Sequence, residues 1–256
     1  MSSNQLDSSQ VDSPKSLKRF VADSLSLGNL LCGLVAIYMA TLGRLDLSLV
    51  CIAMGAVFDG LDGAAARKFG STRWGVYSDD IADAVTYGIA PGVILMIHLS
   101  ATQNAGAGLN IDAVILGSCY IVFTLGRLVY FALAKNFSEP AWFRGAPSVL
   151  GGILVISAAS LFADHIVLTA MLTGVACVLM VNFDSRYQHI GRLLGYRKLY
   201  LYLALICIAV LSVLGIAGQQ KLAIGMVLGI SLIYGLAPVG TGFVDLIKLR
   251  KQGGRS

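Results

Sequence analysis

Charge is scarce in this chain. Only 13% of its 256 residues are Asp, Glu, Lys or Arg, 56% are hydrophobic, and the mean hydropathy is +0.76. That balance excludes an ordinary soluble globular domain. Thiol chemistry is equally thin. The five cysteines (Cys32, Cys51, Cys119, Cys177 and Cys207) are odd in number, form no CxxC, and all fall in apolar stretches. Neither a disulfide framework nor a thiolate metal site is indicated, and the expected role is that of small apolar packing residues. No spacing ties His98, His165 or His189 to one another or to an acidic group, so no histidine-based ligand set is expected. The first 24 residues lack an apolar core followed by a small-residue cleavage site, and no cleavable signal peptide is expected. No alternating strand pattern is visible.

What the chain has instead is a series of apolar runs. About 20 apolar residues suffice to span a bilayer. Hydropathy predicts eight transmembrane helices, at roughly 25–43, 46–66, 76–100, 112–134, 146–163, 165–183, 199–217 and 222–247. The predicted fold is an all-α polytopic membrane bundle. Residues 1–24 form an N-terminal segment, 25–247 one transmembrane domain, and 248–256 a basic tail. The charges orient it. With the N-terminus on one side, 17 of the 19 Lys and Arg fall on that side, Arg127 and Arg144 among them, and only Arg44 and Lys221 fall on the other. Positive charge marks the cytoplasmic face, so both termini are expected there. The net charge of +5 and the pI near 9.0 then require no nucleic-acid partner. They reflect this bias, which also suits anionic lipid headgroups. In residues 14–24, Leu17, Phe20 and Val21 share a helical face with Lys18 and Arg19 off it, which fits a short interfacial helix. Trp74, Trp142, Tyr196, Tyr200 and Tyr202 read as interfacial aromatics. Asp184 and Asp245 sit beside basic residues at helix ends and read as ion-paired.

Against this background residues 59–83, DGLDGAAARKFGSTRWGVYSDDIAD, bring together five aspartates. Asp59 and Asp62 are three apart near the end of the second predicted helix. Asp79 and Asp83 are four apart at the start of the third. Those spacings place each pair on one helical face. Two antiparallel helices joined by a short loop can bring both pairs to one point near the cytoplasmic surface. An ionised Asp in a span costs roughly 2.5–3.5 kcal/mol, so four would cost on the order of 10 kcal/mol. Arg67 and Arg73 are too few to compensate. An all-oxygen cluster suits Mg²⁺, Mn²⁺ or Ca²⁺, and four carboxylates can hold two ions in the arrangement that assists phosphoryl chemistry. Gly63 and Ala66 share the face of Asp59 and Asp62 and leave room there for a bulky ligand. Arg67 follows, placed to meet a phosphate. A carboxylate-lined ion transporter is the alternative from another class, although such carboxylates usually lie near the midplane on broken helices.

The pattern Asp59-x-x-Asp62-Gly63-x-x-Ala66-Arg67, then Gly75-x-x-x-Asp79-x-x-x-Asp83, resembles the signature of the CDP-alcohol phosphotransferases. Every defining residue is present, with seven residues between Arg67 and Gly75. The resemblance implies transfer of a phosphatidyl group from a CDP-lipid to an alcohol, with release of CMP. It implies two divalent cations, Mg²⁺ or Mn²⁺, held by Asp59, Asp62, Asp79 and Asp83, with Asp83 also the general base. It implies a CDP-lipid site at Gly63, Ala66, Arg67 and Gly75, with Asn29 of the first span, and a homodimer. Residues 83–92, DAVTYGIAPG, resemble the phosphatidylserine synthase branch, as does Asn29 in GNLLCG, which implies CDP-diacylglycerol and L-serine as substrates. Arg127 and the RGAPS stretch with Arg144 resemble later basic stretches of that branch and are candidates for the acceptor or a phosphate; for Arg127 the alternative is a side chain that snorkels to the interface. One departure is Asp80, where that branch is expected to have serine. It either adjusts the site or is a solvated interfacial charge. Glycerol 3-phosphate, inositol phosphate, choline or an isoprenoid CDP-lipid would fit the same chemistry.

Overall fold

The computed structural model describes residues 14–70, 75–103, 108–133, 142–188 and 218–253. Helix α1 (Pro14–Thr41) opens on a proline, whose missing N–H and fixed φ suit a first turn. No proline or glycine interrupts residues 15–27. The helix therefore runs unbroken into the first span, and the separate interfacial helix expected over 14–24 is not distinguished from it. Gly43 reverses the chain at φ 71°, with its N–H donating to the Ala40 carbonyl at 3.0 Å and the Arg44 N–H to Met39 at 2.9 Å. Helix α2 (Leu45–Phe69) returns antiparallel to α1, and Ser48 donates to the α1 carbonyl of Ala36 at 2.9 Å.

The third predicted helix is more elaborate than its periodicity suggests. Helix α3 (Gly75–Asp83) passes into a π-helical turn (Ala84–Ile89) and then α4 (Ala90–Gln103). Together they make one span, Tyr77–Gln103. Helix α5 (Ile111–Leu133) packs on α4 where Gly92 and Gly117 meet. A Cβ on Gly92 would stand 2.8 Å from the Gly117 carbonyl oxygen. Such contact between backbones is how membrane helices associate when lipid competes equally well for apolar side chains.

Helices α6 (Ser148–Phe162) and α7 (Ile166–Val181) are short, at 15 and 16 residues. Helix α6 packs against α2, α4, α7 and α8 (Gln220–Gly253). It buries Leu154, Val155, Ile156, Ala158 and Ala159, and a helix apolar on all sides belongs in such a centre. Tyr120, Leu95, Met180 and Leu154 fill one core layer, and Ile52, Tyr87, Ile94 and Ile156 the other. Among the described residues five helices are long and apolar enough to cross a membrane, and their outward faces carry exposed Leu, Ile and Val. The protein is an integral membrane helical bundle. The expected count of eight spans is not confirmed: among the described residues α6 and α7 are apolar but shorter, at 15 and 16 residues, and the helix expected at 199–217 lies outside the described residues.

No strand was expected, yet two stand among the described residues. Strand β1 (Trp142–Arg144) pairs antiparallel with β2 (Arg186–Gln188), setting Phe143 opposite Tyr187 and Arg144 opposite Arg186. Three residues are too few to leave an alternating pattern in a sequence. The ribbon is anchored on α7: the Gly145 N–H donates to Ser185 and the Ala146 N–H to Leu179, both at 2.9 Å. Tyr187 is buried and its hydroxyl donates to the Gly235 carbonyl of α8 at 2.6 Å. Gly145 sits at φ 72°, and a Cβ there would strike the Met180 carbonyl. Gly145→Ala is expected to destabilise the protein by about 1–3 kcal/mol, read as a lowered thermal transition in detergent, whereas Gly174→Ala, where a Cβ would meet nothing, should leave the transition in place.

Candidate active site

Asp59 and Asp62 of α2 meet Asp79 and Asp83 of α3. One oxygen from each of Asp59, Asp79 and Asp83 lies within 4.8 Å of the other two. Asp62 is 4% exposed. Its Oδ2 accepts a hydrogen bond from Ser26 of α1 at 2.8 Å, and its carboxyl faces that of Asp79 at hydrogen-bonding range. Like charges gathered this closely away from water repel unless protons or a cation compensate. The donor set fits a hard cation. Oxygens at 2.0–2.6 Å from one ion stand about 3–5 Å apart, and these lie within 4.8 Å of one another.

A cleft of about 390 Å³, counting its open mouth, adjoins the cluster. Asp62, Gly63, Ala66, Gly75 and Asp79 line it from α2 and α3, and Ala22, Asp23 and Ser26 line it from α1. The small residues of α2 thus face open space beside the carboxylates. Arg67 stands one residue past this wall at the end of α2, with its side chain outside the described set. Asn29 is fully buried and does not line the cleft; its Nδ2 donates to Asp83 Oδ1 at 3.0 Å. Asp80 is exposed on the other side of α3, and Arg144 is exposed on the ribbon.

Arg127 projects from α5 into the protein rather than out of it. It is 5% exposed, its guanidinium lies 4.8 Å from the Phe131 ring centroid, and its Nε lacks a hydrogen-bond partner among the described residues. It is close enough to Asp83 for their charges to interact. Phe131 packs edge-on to Phe183 beyond α7, which also stacks on Tyr130 at 4.3 Å. This aromatic brace holds the arginine inward by cation–π attraction and packing.

The family model of the CDP-alcohol phosphatidyltransferases matches residues 19–182. The chain belongs to that family. Its similar relatives include a CDP-diacylglycerol–serine O-phosphatidyltransferase of Helicobacter pylori, 27% identical over 85% of this chain and 87% of that protein. One of the same name from Mycobacterium leprae is 32% identical over 54% of this chain and 46% of its own length. Another from Methanocaldococcus jannaschii is 25% identical over 75% and 84%. The protein is thus an enzyme of the CDP-alcohol phosphotransferase kind, and the transporter alternative is set aside.

Of α1 the sequence pointed only to Asn29; Asp23 and Ser26, which line the cleft, were not expected there. Asp23, Ser26 and Asn29 are spaced three apart in an otherwise apolar helix, and that stripe of polar residues on one face was the available signal. Thr86 and Tyr87 entered only as part of the stretch from Asp83 to Gly92, because nothing in the sequence announces the π turn that places them. Gly63→Leu would fill the cleft wall without entering the core. It is expected to raise the KM for the CDP-alcohol at least tenfold while leaving the thermal transition unchanged, as measured by CMP release and melting in detergent.

Proposed function

We propose that this enzyme transfers the phosphatidyl group of CDP-diacylglycerol to L-serine, giving phosphatidylserine and CMP, at the cytoplasmic face of the membrane. The observation that carries this is the convergence of Asp59, Asp79 and Asp83 beside a cleft that Asp62 and Asp79 line together with Gly63, Ala66 and Gly75. The serine acceptor is supported by the names of the relatives and by the stretch from Asp83 to Gly92. The cytoplasmic orientation is supported by the bias of Lys and Arg, and the homodimer by the family resemblance.

In this reading the cleft receives the CDP headgroup, with Gly63 and Ala66 letting it approach the α2 backbone and Arg67 pairing with a phosphate. Asp59, Asp62, Asp79 and Asp83 would hold two divalent cations, which when bound neutralise the pyrophosphate and its leaving oxygen. Asp83 takes the proton of the serine hydroxyl as its oxygen bonds to the β-phosphorus. The bond from that phosphorus to the bridging oxygen breaks, and CMP departs with the electron pair. Serine carries a carboxylate, and Arg127 supplies a buried cation near Asp83 to orient it. In-line placement and charge neutralisation supply most of the acceleration in such a transfer.

Purified protein with CDP-diacylglycerol and Mn²⁺ or Mg²⁺ is expected to release CMP with serine, and not with glycerol 3-phosphate, inositol phosphate or choline. Chelation should stop release, and either metal should restore it. Release with a different alcohol would keep the chemistry and overturn the acceptor. Asp83→Asn should lower kcat by at least about 100-fold, the range of general-base contributions, while CDP-diacylglycerol still binds; persistent turnover would remove Asp83 as the base.

A further inference from the structure

The layer beneath Asp83 contains two buried polar atoms that this scheme does not use. Asn29 and Tyr87 are both 0% exposed. The Asn29 Nδ2 is committed to Asp83, while its Oδ1 and the Tyr87 hydroxyl have no hydrogen-bond partner among the described residues. Both orphaned atoms lie beside Gly55 of α2, with the Thr86 methyl against the same glycine. A Cβ on Gly55 would stand 2.8 Å from Asn29 Oδ1 and 3.5 Å from the Tyr87 hydroxyl oxygen. One atom is an acceptor and the other a donor. No direct hydrogen bond joins them; lying beside the same glycine, this acceptor and this donor are suitably placed to be bridged by one water.

The surroundings hold both residues still. The Asn29 carbonyl accepts the Thr86 hydroxyl at 2.9 Å, and the Tyr87 carbonyl accepts the Tyr120 hydroxyl of α5 at 2.7 Å. Gly33 of α1 lets Thr86 approach so closely that a Cβ there would lie 2.8 Å from the Thr86 Cα. The π turn is thereby fastened to α1 on one side and α5 on the other, directly after Asp83. Single π turns inside α-helices are frequent at functional sites. Here the turn brings two side chains under the carboxylate next to it.

We propose that Asn29 is a positioning residue for Asp83 rather than a contact for the CDP-lipid. Its amide holds one carboxylate oxygen so that the other faces Asp59 and Asp79, and the Tyr87 hydroxyl fixes which way that amide points. The proposal rests on Asp83 acting at the site as described above.

The test uses the full-length protein and the variants Asn29→Ala, Asn29→Asp and Tyr87→Phe. Two measurements are made on each: Mn²⁺ affinity from the free-ion electron paramagnetic resonance signal, and kcat and KM for CDP-diacylglycerol. Asn29→Ala is expected to weaken Mn²⁺ binding about tenfold and to lower kcat about 10–100-fold, the range for partners that orient metal ligands, with KM unchanged. Asn29→Asp keeps the size, loses the donor and adds a like charge, so its kcat should fall below that of Asn29→Ala. Tyr87→Phe removes a single hydroxyl with the packing intact, and should show the same pattern more weakly. A raised KM for CDP-diacylglycerol in Asn29→Ala, with kcat and Mn²⁺ affinity intact, would overturn the proposal. Wild-type behaviour of Tyr87→Phe would remove Tyr87 from it. If the wild type released no CMP with any acceptor, the function proposed above would fall, and the Mn²⁺ titrations would still decide this point.

Discussion

Carboxylates cannot be gathered in a poorly hydrated place without something to offset their repulsion, and much of this structure is arranged around that fact. Four aspartates stand where α2 and α3 come together, at one end of two apolar spans. Three of them are close enough to share one ion. Their place at the end of the helices rather than in the middle limits the desolvation cost and opens the site to polar substrates. The same electrostatics accounts for Arg127, a cation buried within reach of Asp83 and supported by an aromatic ring. Neither feature makes sense in a bundle whose only task is to fill a membrane.

A site of this kind works only if its ligands are held at fixed positions, and here the holding is done by packing between backbones. Gly33 and Gly55 let α1, α2 and the π turn approach to the limit of contact, and Gly92 and Gly117 do the same for α4 and α5. In lipid, apolar side chains gain little by leaving one hydrocarbon surface for another. Close helix contact and buried hydrogen bonds carry the specificity instead: Ser26 to Asp62, Asn29 to Asp83, Thr86 to Asn29 and Tyr120 to Tyr87. Away from the cluster, the β1–β2 ribbon ties the α5–α6 connection to the segment after α7, and Tyr187 carries that tie on to α8.

The amino-acid sequence by itself determined the class of the protein, the helices that carry the aspartates, and the pairing of those aspartates. Those properties depend on short-range rules. Hydropathy over about 20 residues marks a span, and spacings of three and four mark a helical face. The signature from Asp59 to Asp83 lies within a single helical hairpin, so its geometry follows almost directly from its spacing. Only the tertiary structure decided that α1 forms a wall of the cleft, that Asn29 lies behind Asp83 instead of in the open, and that Arg127 turns inward. These depend on which helix packs against which, and at what depth. The π turn and the three-residue strands were invisible for a related reason. Each is fixed by partners distant in the chain, Asn29 and Tyr120 for the turn and each strand for the other, and no local pattern of residues encodes a distant contact.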